Sequence, residues 1–180
     1  MIKHKTTEAR QARWKPIRYV IDTPELALSH CVRNENHELM IQPEWRGDLH
    51  AYLGGIIRAA NGIAKSVGGV SDHVHLLIGL RATHRLGDVL RELKAVSSGW
   101  VHDEIGVRGF AWQEGYGAFT VSASQRGAVR RYIEKQAEHH RTHTFRDEYL
   151  ELLRRSGVEF NAAAGAWNFL TRSRVFCTTG

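Results

Sequence analysis

Cysteine is scarce in this chain: Cys31 and Cys177 are the only two in 180 residues, far apart and in no CxxC arrangement. That argues against a disulfide scaffold or a thiolate zinc site and fits a reducing compartment. No run of about 18 apolar residues occurs, as a bilayer-spanning helix would need. The N-terminal stretch also lacks the apolar segment of a secretory leader. Membrane partners and export are therefore not expected, and the expected location is cytoplasmic. Repeats and low-complexity blocks are lacking too. Acidic residues are in deficit, 19 Asp plus Glu against 25 Lys plus Arg, for a formal net charge of +6. A sequence pI near 9.6 favours a polyanionic partner such as nucleic acid.

Hydrophobic residues make up 42% of the chain, enough for a single domain with its own core. Residues 1–24 read as a loose basic arm, residues 25–160 as the folded domain, and residues 161–180 as a C-terminal tail. Leu26–Val32 suggests a first strand. From Pro43 to Ala64, Leu49, Leu53, Ile56, Ile57, Ala60 and Ile63 recur at helical steps. Gly68 and Gly69 break that trend, and Val74–Leu80 reads as a central strand. A second helix is predicted over Leu86–Ile105, closed by Gly106 and Gly109. A strand is predicted over Phe110–Val121, with an irregularity at Gly115–Gly117. Ser122 or Ser124 is the candidate N-cap of a third helix reaching His139. A short last helix is predicted over Arg146–Arg155. This order predicts an α+β fold, with helices packed on an antiparallel sheet.

The segment GGVSDHVHLLIGL, Gly68–Leu80, carries the chemistry. Strand side chains alternate faces, so His73 and His75 point one way and Val74, Leu76 and Ile78 the other. Two imidazoles at i and i+2 can share a divalent cation; a solvated strand face would produce the same pair. A zinc hydrolase of the HxHxDH type needs Asp and His directly afterwards, and Leu76, Leu77 and Ile78 stand there instead.

In RRYIEKQAEHH, Tyr132 and Gln136 are four residues apart and share a helical face. A phenol and an amide oxygen so placed can supply a nucleophile and a third ligand; plain half-buried packing gives the same spacing. The phenol, with an unperturbed pKa near 10, needs a cation or a positive side chain to act at neutral pH. Lys135, one turn away, is the nearest local candidate, and a solvated helix lysine gives the same position. If the helix continues, His139 and His143 follow the same face as reserve ligands; DNA contact or plain surface exposure explains both as well.

With these residues in place, the chain resembles the single-tyrosine, His-hydrophobic-His (HUH) transposases, particularly the REP-associated tyrosine transposase branch. GGVSDHVHLLIGL, LRELKAVSSGWVHDE, FAWQEGYGAFTVS and VRRYIEKQAEHHRTHTFRDEYLELLRRSGVEF carry the resemblance, in the family's order. It implies a ferredoxin-like (RRM-like) sheet bearing His73 and His75, with Tyr132 on a separate helix. It further implies Mg²⁺ or Mn²⁺ held by His73, His75 and Gln136, and attack by Tyr132 on single-stranded DNA near imperfect palindromic hairpins. The product would be a 5′-phosphotyrosine link, and the setting nucleoid-associated and bacterial. The resemblance leaves two assemblies open, a homodimer with shared active sites or a monomer. Arg131, Lys135, Tyr116 and His139 are candidate phosphate or nucleic-acid contacts, and Trp112 and Phe119 could stack on bases or pack in the core. Asp72 is expected to orient a ligand or a turn rather than to bind metal itself. Ser71 departs from the proline common in relatives. The alternative is a hairpin-binding protein of the same fold that no longer cuts DNA.

Overall fold

The computed structural model describes residues 25–31, 40–112, 116–142, 147, 150–151, 154 and 174–177, the first and last of these segments by their backbone. The elements run β1 (Glu25–Cys31), α1 (Pro43–Ala59), β2 (Ile63–Gly69), β3 (His73–Gly79), α2 (Leu86–Trp100), β4 (Tyr116–Val121), α3 (Arg126–Glu134), α4 (Gln136–His139) and β5 (Arg174–Cys177). A π-helical turn, Val101–Ile105, continues α2. The sheet order is β2-β3-β1-β4-β5. Its first four strands are antiparallel neighbours, the interleaved βαββαβ arrangement of a ferredoxin-like fold. The expected α+β class holds. β5, within the stretch expected to be a tail, adds a parallel edge strand beside β4.

Pro43 opens α1, where its missing N–H costs nothing. Trp45, Leu49, Leu53 and Ile57, every fourth residue, are buried. The helix does not reach Ala64 as the apolar spacing suggested. Asn61 takes a left-handed φ of 61°. Its N–H donates to the Arg58 carbonyl at 3.0 Å, and the Gly62 N–H donates to the Ile57 carbonyl at 2.9 Å. This closure satisfies the last carbonyls and ends the helix. Ile63 therefore begins a strand that the sequence reading missed, and its side chain is 48% exposed. Asn61-Gly62 was the overlooked turn signal.

The predicted second helix corresponds to α2 with its π turn, stopped by Gly106 at φ 81°. Strand β4 begins at Tyr116, later than the predicted Phe110; Phe110 is instead a core side chain. The expected helix from Ser122 or Ser124 to His139 begins at Arg126, behind Gln125. Ser122 Oγ and Ser124 Oγ hydrogen-bond to each other at 3.1 Å instead of capping it. The helix also breaks at Lys135, between α3 and α4. Of the last predicted helix, positions 147, 150, 151 and 154 are described, and they are helical. The basic arm, residues 1–24, lies outside the described residues.

Alternation in β3 sorts the molecule into two layers. Val74, Leu76 and Ile78 join Leu49, Leu53, Ile57, Leu90 and Leu93 in the core under α1 and α2. His73, His75 and Leu77 face the other way, yet every residue of β3 is buried. What covers them is α3, which packs on β2 and β3. Gly68 permits that approach: a Cβ there would overlap the Ile133 carbonyl oxygen and lie 2.9 Å from Ile133 Cγ2. Glycine at this point sets how closely the tyrosine helix sits on the sheet.

Candidate active site

Strand β3 delivers His73 and His75 to the face beneath α3 and α4, with ring centroids 4.9 Å apart. Both are buried, at 0% and 4% relative exposure, so a solvated strand face does not explain them. Buried polar groups need partners, and His73 has two. Its Nδ1 lies 2.7 Å from Asp72 Oδ1, and its Nε2 lies 3.1 Å from Gln136 Oε1. The second contact joins β3 to α4.

Asp72, in the hairpin before β3, is the carboxylate that meets His73 Nδ1. Burial works against its charge, but the hydrogen bond and positive field of His73, together with the field of His140, outweigh that and hold the carboxyl below its usual value. A carboxylate on Nδ1 selects the Nδ1–H tautomer of a neutral imidazole. The Nε2 lone pair then faces the Gln136 amide oxygen, acceptor against acceptor. Turned over, the amide would donate its NH2 to that lone pair; in the orientation shown, a shared cation would join the two acceptors, and two imidazoles with an amide oxygen are a donor set that fits a divalent metal ion. Among the described residues no group of three His, Cys, Asp or Glu side chains is placed to hold one; the set here is two imidazoles and an amide.

Tyr132 joins from α3. Its ring lies 5.8 Å from that of His75, centroid to centroid, and 5.3 Å from that of His139. Its Oη is buried and, among the described residues, has no hydrogen-bond partner. Isoleucine at 133 anchors the same turn, at 2% exposure. Thus one turn of α3 seats Tyr132 beside His75, and the next turn, in α4, seats Gln136 against His73.

An open cavity of about 580 Å³ runs along this helix pair, lined by Ala128, Arg131, Tyr132, Lys135, Glu138, His139 and Thr142. Three expected phosphate contacts, Arg131, Lys135 and His139, therefore border the tyrosine. Lys135 is exposed and 3.8 Å from Glu138.

Tyr116 is not part of this site. It packs against the α1/α2 core, and the Lys94 ammonium sits 6.0 Å from its ring centroid, on the sheet face opposite the histidines. Trp112 also packs against that core, its indole N–H donating to Ser97 Oγ at 2.8 Å. Phe119 is 5% exposed. Phe119 is thus closed to a base, whereas Trp112 is half-buried. His143 lies outside the described residues. The sequence reading overlooked His140, whose ring stands edge-on to His73 at 4.5 Å. Its signal was a second four-residue step, from Gln136 to His140.

The family model described as "Transposase IS200 like" matches residues 26–136, a span holding both histidines, the tyrosine and the glutamine. This chain belongs to the IS200-like transposase family. Two solved structures share its fold. A transposase candidate from Deinococcus radiodurans R1 aligns with a TM-score of 0.50 at 24% identity, over 68% of this chain and 97% of its own. A REP-associated tyrosine transposase bound to a REP hairpin aligns with a TM-score of 0.50 at 14% identity, over 66% of this chain and 68% of its own. No curated protein matches the chain. In this IS200-like transposase His73, His75, Tyr132 and Gln136 converge within one chain, and among the described residues no helix is long and apolar enough to cross a membrane.

Proposed function

We propose that this transposase cuts and rejoins single-stranded DNA beside imperfect palindromic hairpins through a covalent tyrosine link. The observation that carries the reading is the single-chain meeting of Tyr132 with His75, at 5.8 Å between ring centroids, and of Gln136 with His73, at 3.1 Å. These contacts draw the nucleophile and three candidate ligands together in one buried place.

His73, His75 and Gln136 would hold Mg²⁺ or Mn²⁺. Bound there, the ion would supply Lewis acidity toward a phosphodiester oxygen, an effect of several kcal/mol. Asp72 keeps the His73 ring in its ligand orientation. Tyr132 Oη forms the new bond to phosphorus while the bond to the 3′ oxygen breaks. The phenolic proton ends on that leaving oxygen, directly or through solvent, giving a free 3′-hydroxyl and a 5′-phosphotyrosine. Because the link remains a phosphodiester, a 3′-hydroxyl can later attack it and release the phenol without an added energy source. Arg131, Lys135 and His139 line the groove along which the phosphates of the strand would run. The net charge of +6 favours such a polyanion at moderate salt.

The hairpin preference rests on the likeness to a transposase solved with a REP hairpin. The test is incubation with hairpin-bearing single-stranded DNA and Mn²⁺, followed by a denaturing gel. A covalent protein–DNA adduct is expected from the wild type and none from Tyr132→Phe. Absence of adduct from the wild type, or an undiminished adduct from the variant, would overturn the proposal. Hairpin binding without any adduct would point to a protein of the same fold that binds DNA but no longer cuts it.

A further inference from the structure

His140 has no part in the scheme above, and it lies beyond the segment matched to the family, which ends at residue 136. Its backbone N–H still donates to the Gln136 carbonyl, at 3.0 Å, so it occupies the next helical step after the amide ligand. Its ring meets that of His73 at 4.5 Å between centroids with an interplanar angle of 68°. Fully buried His73 is therefore fixed from several sides. Asp72 Oδ1 holds Nδ1 at 2.7 Å, Gln136 Oε1 stands at Nε2, and the His140 ring packs against it.

A single hydrogen bond at Nδ1 leaves an imidazole able to tilt about the bond axis. An aromatic ring set edge-on against it removes that freedom, because tilting would lose a favourable contact and create a clash. We infer that His140 is a positioning residue: its ring clamps His73 in the orientation that aims Nε2 at the Gln136 oxygen. Gln136 and His140 sit on one short turn, so the element that supplies the third ligand also fixes the first. Residues behind metal ligands commonly change metal affinity by about 10- to 100-fold when removed.

This inference rests on the metal-dependent reading of the site, and the test separates the two. Mn²⁺ binding is measured directly, by loss of the free-ion electron paramagnetic resonance signal, on wild type, His140→Ala, His140→Phe and His73→Ala. Circular dichroism melts check each variant's fold. His140→Ala should weaken Mn²⁺ binding about tenfold. His140→Phe should restore it to within about twofold, since phenylalanine keeps the edge contact but offers no nitrogen. Hairpin affinity measured in chelator should match wild type in both His140 variants. Wild-type Mn²⁺ affinity in His140→Ala alongside lost affinity in His73→Ala would overturn the clamp and leave the metal site standing. A His140→Phe variant as weak as His140→Ala would also overturn it, because the nitrogen and not the ring would then matter. Unchanged affinity in His73→Ala would remove the metal site and the clamp together.

Discussion

Gly68 of β2 lies directly beneath Ile133 of α3, so close that one methyl group on its Cα would overlap the Ile133 carbonyl oxygen. The contact sets the height of the tyrosine helix above the histidine pair. Gly68→Ala should lift α3, costing about 1–3 kcal/mol of stability as an overpacked substitution. Its distinctive effect should be on adduct formation, which needs Tyr132 and His75 in register. A denaturing-gel assay at a temperature where the variant remains folded is expected to show the adduct reduced by tenfold or more. Wild-type adduct levels would contradict this role for the glycine.

The Tyr132 hydroxyl is buried without a hydrogen-bond partner among the described residues, which is unfavourable for folding. Tyr132→Phe should therefore melt at the same temperature as the wild type or slightly above it. Loss of adduct together with unchanged or higher Tm is the expected pair of results. A large fall in Tm would show that the phenol has a structural partner after all.

His50 on α1 is held largely neutral. Burial, reinforced by the nearby positive charge of Arg46, lowers its pKa to about 4 from an ordinary 6.5. Its folded-state pKa is depressed, so the unfolded chain binds the extra proton first as pH falls below 6.5. Stability is then complete above that value and declines toward pH 4, flattening below. Between pH 7 and pH 5 the loss from this one group should be about 1–2 kcal/mol. Chemical denaturation of wild type and His50→Leu at both pH values checks it; the variant should show the smaller difference.

Ser97 ties α2 to the segment that precedes β4. Its hydroxyl donates to the Leu93 carbonyl at 2.6 Å and accepts from the Trp112 indole at 2.8 Å. Ser97→Ala should leave that indole N–H unsatisfied and cost about 1–3 kcal/mol. Adduct formation by the folded variant should be unchanged, because Trp112 packs under the sheet face remote from the histidines. Loss of DNA cleavage at full stability would return Trp112 to the list of base-stacking candidates.

Much of the site was legible locally. A strand alternates its side chains, so GGVSDHVHLLIGL alone determined that His73 and His75 share a face opposite Val74, Leu76 and Ile78. A helix repeats every 3.6 residues, so RRYIEKQAEHH alone determined that Tyr132 and Gln136 share another. The same apolar counting failed at Ala60 and Ile63, because it gave no weight to the turn at Asn61-Gly62.

Only the tertiary structure decided that the two faces meet. His73 and Gln136 are 63 residues apart in sequence, and backbone period says nothing about which surfaces pack together. Their meeting depends on a glycine in β2 that lets α3 settle onto the sheet. It also brings His140 against His73 and leaves Tyr116 on the wrong side of β4. Local geometry orders side chains along an element, whereas close packing between distant elements chooses their neighbours.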